Sequence, residues 1–239
     1  MMNQPRQHFF FLGIFIFLGL AAVGYLMSQA IIQYKQMDRS VTVKGLSEKE
    51  LMADVVIWPI GYSLANNDLA ALYETIETNN QLISEFLTTK SIPNSAISFA
   101  TPSITDKSAQ NYGNSDNSTF RFVGSQTVTV YSEQIELVRQ AMTQLSELGK
   151  QGIVIKGNNY ENRTEYLFTG LNEVKPEMIE EATQNAREVA MKFAADSNSR
   201  LGKIKVARQG QFSISDRDQN NPHIKKVRVV STIEYYLAD

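Results

Sequence analysis

Side chains that commonly carry out catalysis are scarce in this sequence of 239 residues. Cysteine is absent, which excludes a disulfide framework, a thiolate metal site and a cysteine nucleophile. Two histidines are present, His8 and His223. Of these, His223 is the candidate for the general base of a catalytic triad, but the sequence around it contains no nucleophile turn. The sequence favours a solvated loop residue at this position.

Two acidic groups could bind a cation or transfer protons. Asp216 and Asp218 are two positions apart, but Ca²⁺ takes about six to eight oxygen ligands and the neighbouring residues lack that spacing. A turn is the better interpretation. Glu177, Glu180 and Glu181 follow a proline, as expected for carboxylates near the positive end of a helix dipole. We therefore predict a protein that is not an enzyme, with no catalytic residue, metal site or cofactor.

Three aromatic residues suggest a second kind of site. Trp58, Tyr62 and Tyr73 lie on a predicted strand and the helix that follows it. They could line a pocket for a small ligand, or they could pack in the core between the strand and the helix. Core packing is the favoured interpretation.

The charge balance gives little indication of a polyanionic partner. The sequence has 23 basic and 25 acidic residues, a net charge of −2, which argues against nucleic-acid binding. Basic residues are frequent between Arg187 and Arg228 and could face anionic lipid headgroups. Acidic residues are interspersed among them, so solvated sides of a helix and of strands are the favoured interpretation.

One apolar segment stands out near the N-terminus. Phe9 to Met27 contains 16 apolar residues, three glycines and no charge. As a helix it would be about 28 Å long, close to the thickness of the bilayer hydrocarbon. We predict a cytoplasmic segment over 1–8, a signal anchor over 9–27, a linker over 28–38 and an extracytoplasmic domain over 39–239. A cleaved signal peptide ending near Ser28-Gln29-Ala30 is the alternative.

Alternating and continuous apolar stretches predict several strands. One strand covers Arg39 to Gly45 and ends at the glycine, and a second covers Val55 to Leu64. Pro59 cannot donate a ladder hydrogen bond, so it predicts an edge position or a bulge. Strands are also predicted from Ile97 towards Ile104, over 120–131, 153–155, 204–214 and 223–237. In the last of these, the alternation places Val227, Val229, Ile233, Tyr235 and Leu237 on one face. The polar stretch 105–119 predicts a solvated hairpin connection, with a binding loop as the alternative.

Three long amphipathic helices are predicted from apolar stripes. The first runs from Leu69 to Leu87 and the second from Ser132 to Gly149. The stripe of the first helix comprises Leu69, Leu72, Tyr73, Ile76, Ile83, Phe86 and Leu87. The third begins near Pro176 and has a stripe of mainly small residues, Ile179, Ala182, Ala186, Val189, Ala190 and Phe193. Because hairpins outnumber helix-linked strands, we predict an α+β fold with helices packed on antiparallel sheets.

Four segments together resemble the SIMPL domain family, a bacterial envelope domain of unknown function. The opening V-x-V-x-G-x-[GS]-E pattern is present at Val41 to Glu48, and a strand pattern at Phe122 to Val130. The third helix is similar in its Glu181-Ala182, Ala186-Arg187, Ala190 and Ala194 positions, which are followed by Leu201-Gly202-Lys203-Ile204. Val227 to Leu237 is similar to the closing strand. The resemblance covers about residues 38–239 and departs at the longer 156–169 link, at Ile57-Trp58-Pro59 and in the anchor.

The resemblance implies an α+β envelope protein with no agreed catalytic residues and no cofactor. It also implies self-assembly or a role in tolerance of oxidative stress. The leading hypothesis is a single-pass protein of the bacterial inner membrane, attached through its N-terminal helix, with a periplasmic domain that forms homo-oligomers or binds a partner. Cleavage would make it periplasmic or secreted. The alternatives are a small-ligand-binding or sensing module with a pocket near Trp58, and a hydrolase dependent on His223.

Overall fold

The computed structural model describes residues 5–37, 39–109, 119–157 and 162–238. Within this part the chain forms two compact units. Unit 1 comprises residues up to Glu48, Lys175–Phe212 and residues from Arg228 onwards, and unit 2 comprises Lys49–Val174 and Ser213–Val227. Parts of the predicted 1–8 segment, of the 28–38 linker, of the 105–119 loop and of the 156–169 link lie outside the described residues.

The N-terminal helix α1 covers Pro5–Met37. Its 22 residues Phe11–Ile32 have a mean hydropathy of 2.2, and none of the most apolar stretch is buried by the protein. Length and composition suit a membrane span or a signal sequence alike. The helix also includes most of the segment predicted as a linker.

Unit 1 contains most of an antiparallel sheet and most of a long helix. The sheet order is β1 (Ser40–Met52), β10 (Ile224–Ala238) and β8 (Arg200–Gln209), and β9 (Ser213–Asp216) also pairs with β10. The predicted alternation along β10 is confirmed, because Val227, Val229, Ile233 and Tyr235 are all buried. Helix α5 (Leu171–Asp196) buries every fourth residue: Met178, Ala182, Ala186, Ala190 and Ala194.

Unit 2 is built on a six-stranded sheet with the order β3-β5-β2-β6, in which β4 also pairs with β5 and β7 with β2. Its central pair is β2 (Val55–Asn66) and β5 (Phe122–Ser132). The shorter strands are β3 (Ile97–Phe99), β4 (Ser103–Asp106), β6 (Val154–Ile155) and β7 (Glu165–Leu167). Helices α2 (Leu69–Thr89), α3 (Ile135–Thr143) and α4 (Ser146–Lys150) complete the unit. Residues from β2, β5 and all three helices form one hydrophobic core.

The α+β class is confirmed, but four helices follow α1 where three were predicted. The predicted helix over 132–149 is divided between α3 and α4. At the division, the N–H groups of Gln144 and Leu145 donate to the carbonyls of Ala141 and Met142, three residues earlier. This tighter pattern interrupts the α-helical ladder. The predicted strand over 97–104 is also divided, between β3 and β4, and Pro102 lies in the interruption.

The prediction for Pro59 was wrong. Strand β2 is interior, and its pairing with β5 runs from Val56 to Asn66 without a register shift. The carbonyl of Gly61 accepts from the N–H of Lys156, on the side of β2 opposite β5. Backbone polar groups alternate along a strand, so the nitrogen of Pro59 also faces away from β5. On that side of β2, residues 55–57 pair with β7 and residues 62 and 63 pair with β6. Pro59 lies between these two pairings, so its missing N–H group removes no hydrogen bond from the sheet.

The predicted start of α5 was also wrong. The helix begins at Leu171, so Pro176 is internal and is not in the first turn. The cause is distant in sequence: the Asp54 carboxylate accepts from the N–H groups of Thr169 (2.7 Å) and Gly170 (3.0 Å) and from the Thr169 hydroxyl (2.9 Å). These groups immediately precede the helix, and a carboxylate there compensates for donors without intrahelical partners.

Two predicted apolar stripes were only partly correct. In α2 the buried residues are Leu72, Ile76, Ile83, Phe86 and Leu87, whereas Leu69 and Tyr73 are exposed. In α5 the predicted Val189 and Phe193 are exposed. An exact four-residue repeat drifts around a helix of 3.6 residues per turn, so the covered face moves away from Phe193 by the C-terminal end.

Candidate functional site

In unit 1, strand β1 lies directly against the backbone of helix α5 at Gly45. The sequence predicted that the strand ends at Gly45, but β1 continues to Met52. A Cβ atom on Gly45 would lie 1.8 Å from the carbonyl oxygen of Ala182 and 2.5 Å from the nitrogen of Ala186. Only a residue without a side chain fits at this distance, so Gly45 allows the backbone of α5 to contact the strand directly.

Polar side chains also connect β1 and α5 next to Gly45. The buried Ser47 hydroxyl donates to the Glu181 carboxylate over 2.7 Å. The Asn185 side-chain amide donates to the carbonyl of Leu46 over 2.8 Å. The V-x-V-x-G-x-[GS]-E segment and the alanine-rich helix therefore pack against each other. The strand contributes a glycine without a side chain, and the helix contributes small side chains and hydrogen-bonding partners.

A family model described as SIMPL, protein of unknown function (DUF541), matches residues 41–231. The chain belongs to the SIMPL family. The match begins in β1 and ends in β10, so it includes both motifs that meet at Gly45. A search of curated proteins finds no match. The SIMPL motifs of this chain contribute packing at Gly45 and Ala182, and the family description assigns them no chemistry.

His223 is not the solvated loop residue that was predicted. It is 7% exposed, and its ring lies 6.0 Å from that of Tyr166 in an edge-on arrangement. Its backbone carbonyl accepts from the N–H of Ala53 over 2.8 Å. Burial lowers the pKa of the imidazole below its ordinary value, and the positive charges of Arg139 and Arg217 act in the same direction.

Asp216 and Asp218 have separate partners and do not form a shared cation site. Asp216 pairs with the buried Lys225 and with Arg163, whose Nη2 lies 3.5 Å from its carboxylate. Asp218 accepts from the N–H groups of Asn220 and Asn221, both at 2.9 Å, so a turn begins at Asp218. Asp216, which was predicted to lie in the same turn, is instead the last residue of β9. Among the residues that the structure describes, no three His, Asp or Glu side chains are placed to hold a metal ion.

Glu177, Glu180 and Glu181 do not lie in the first turn of α5, which contains Glu173 instead. Glu181 accepts from Ser47, and Glu180 accepts from Gln184 over 3.2 Å. Several basic residues of the C-terminal third are in ion pairs. Lys205 lies 3.3 Å from Glu234, Arg228 3.7 Å from Glu48 and Arg217 3.7 Å from Glu50. These pairs fit the interpretation of solvated strand faces.

The three aromatic residues do not enclose a pocket near Trp58. Trp58 and Tyr62 are buried in the core of unit 2, whereas Tyr73 is 48% exposed. The Tyr62 hydroxyl lies 2.9 Å from Oδ1 of Asn80 and 3.2 Å from the carbonyl oxygen of Ile76, and donates towards both. Burial raises the pKa of Tyr62 to about 12.

Three cavities among the described residues of unit 2 were not predicted from the sequence. One, of about 220 Å³, lies beside Lys225, Asp216 and Arg163. A second, of about 330 Å³, is lined by Pro93, Ser95, Ala96, Tyr131, Ser132, Glu133 and Gln134. The third, which we call the α2–β3 groove, also has a volume of about 330 Å³ and is lined by Glu77, Asn80, Gln81, Ser84 and Phe99. The spacing of the first four residues along one helix face was available in the sequence, but nothing indicated that Phe99 would lie beside them.

Proposed function

We propose that this SIMPL protein is not an enzyme and is anchored in the cytoplasmic membrane by α1. Its domain lies on the outer side, where it works by self-assembly in tolerance of envelope stress. Membership of the SIMPL family and the apolar Phe11–Ile32 helix support the proposal. A membrane anchor confines copies to one plane, which raises their effective concentration and favours assembly.

The self-assembly proposal depends on the unpaired edge of strand β8. Among the described residues it pairs with β10 alone, so its other edge is unpaired. Ile204 is 48% exposed and Val206 is 37% exposed on this strand. An exposed edge with apolar side chains is a template for pairing with another chain. Lys203 and Arg208 on the same strand oppose pairing of two β8 edges with each other, which favours a different surface on the neighbouring copy.

The test is the mass of the full chain in detergent, measured by light scattering after size exclusion. We expect a discrete multimer for the natural protein. The double variant Ile204→Lys/Val206→Lys should shift it towards the monomer, because two charges would be desolvated in the interface. The matched control is Ile214→Lys, which changes an exposed isoleucine on β9 and should leave the multimer intact.

A monomeric natural protein, or a multimer that the β8 variant leaves unchanged, would refute assembly through β8. Circular dichroism of both variants checks that they are folded. The anchor is tested separately by the mass of the chain recovered from membranes. Recovery of a chain without residues 1–30 would show cleavage and would remove the anchor from the proposal.

A further inference from the structure

The α2–β3 groove has a composition that suits a specific class of ligand. Its four helical residues, Glu77, Asn80, Gln81 and Ser84, follow the spacing i, i+3, i+4, i+7, which places them on one face of α2. The stripe of α2 that flanks this face is buried, and this fixes the helix in rotation. We propose that the groove binds an uncharged saccharide. The inference is independent of the membrane anchor and of self-assembly.

Phe99 provides the apolar surface of the groove. Its side chain is 49% exposed on β3, although a large aromatic residue gains free energy by burial. The face of a pyranose ring presents C–H groups that pack against an aromatic ring, while its hydroxyls remain at the edge. A short strand paired with β5 at Ile97, Ser98 and Phe99 holds this ring in place.

The helical residues provide hydrogen-bonding groups suited to hydroxyls. Glu77 and Gln81 have no side-chain partner among the described residues, so a carboxylate and an amide are available to a ligand. Asn80 is oriented by the Tyr62 hydroxyl, 2.9 Å from its Oδ1, which leaves its NH₂ group to donate. Amides and carboxylates together can both donate to and accept from neighbouring sugar hydroxyls.

Charge selects among saccharides. Among the described residues that line the groove, Glu77 alone is ionisable, so an acidic sugar would place a carboxylate near another carboxylate. A neutral sugar can instead donate a hydroxyl to Glu77. The structure therefore favours uncharged glycans over uronates.

The test is saturation-transfer NMR on the full chain in lauryldimethylamine oxide, a detergent without a sugar headgroup. The probes are maltotetraose, cellotetraose, chitotetraose and the acidic tetragalacturonate. We expect saturable transfer to at least one neutral tetrasaccharide and weaker transfer to the uronate. Phe99→Ala should weaken binding about fivefold or more through loss of the stacking surface. Phe193→Ala, which removes a phenylalanine ring of similar exposure from α5, is the matched control and should not change binding.

Three results would overturn the proposal: no saturable transfer to any neutral probe, unchanged binding by Phe99→Ala, or binding of the uronate as strong as that of the neutral probes. Gln81→Ala is a second variant at an exposed helical position, with little risk to the fold. It should also weaken binding if the groove is the site.

Discussion

The Ser47 hydroxyl and the Glu181 carboxylate are 134 positions apart in sequence and 2.7 Å apart in space. Their hydrogen bond lies beside the contact between Gly45 and Ala182, within unit 1. Two of the SIMPL segments of this chain therefore pack against each other. The following predictions test this contact and the other buried polar features of the fold.

Gly45→Ala should destabilise the protein by about 2 kcal/mol or more, because the added methyl group cannot fit without moving α5 away from β1. Urea denaturation followed by circular dichroism measures the loss. Gly149→Ala is the control: no atom lies within 4 Å of its Cβ position in α4, and alanine favours helix by up to about 1 kcal/mol. Equal effects of the two substitutions would contradict the close approach.

Ser47→Ala should cost about 1–2 kcal/mol, because it leaves a carboxylate beside a buried site without its donor. Comparison of the double variant Ser47→Ala/Glu181→Gln with the two single variants gives the energy of interaction between the two side chains, separate from the other effects of each substitution. We expect a coupling energy of at least about 0.5 kcal/mol between the two positions. Strictly additive effects would mean that the hydrogen bond contributes nothing to stability.

Stability should decrease as the pH falls below about 6.5 because of His223. Its pKa is lowered in the folded state by burial, so the unfolded chain binds a proton more readily. The contribution of the neutral ring is therefore complete above the unfolded pKa and is lost as the solution becomes more acidic. Unfolding of the natural protein and of His223→Gln should be compared at pH 7.5, 6.5 and 5.5. A constant difference between the two proteins over this range would refute the effect.

Asp54→Ala should destabilise the protein by about 1–2 kcal/mol, since three donors before α5 lose their acceptor. Asp54→Asn retains one carboxamide oxygen and should cost less. Glu85→Ala, which changes an exposed acidic residue of α2, is the control for loss of a negative charge. If Asp54→Ala and Glu85→Ala have the same small effect, the cap is not important for stability.

Periodicity was sufficient to predict the class of fold and the buried face of β10, because side-chain alternation is a local property of a strand. The first turn of α5 could not be predicted in this way. Its start depends on Asp54, which is 115 residues from Thr169 in sequence. Pro59 was misinterpreted for a similar reason: its tolerance in an interior strand depends on where β6 and β7 stop pairing with β2.

The groove illustrates the same limit for function. Glu77, Asn80, Gln81 and Ser84 look in the sequence like an ordinary solvated helix face. Phe99 follows them by 15 positions or more and looks like one residue of a short strand. Their proximity results from the pairing of β3 with β5, which no local pattern specifies.

The discontinuity of unit 1 has a consequence for biogenesis. Strand β10 lies between β1 and β8 in the sheet, although it follows both in the chain. During synthesis, β1 and β8 therefore emerge without the strand that separates them, and neither can form its native ladder until residues 228–238 arrive. A chain interrupted before that point would retain two unsatisfied strand edges, and we expect a chaperone or protease to recognise it as incomplete.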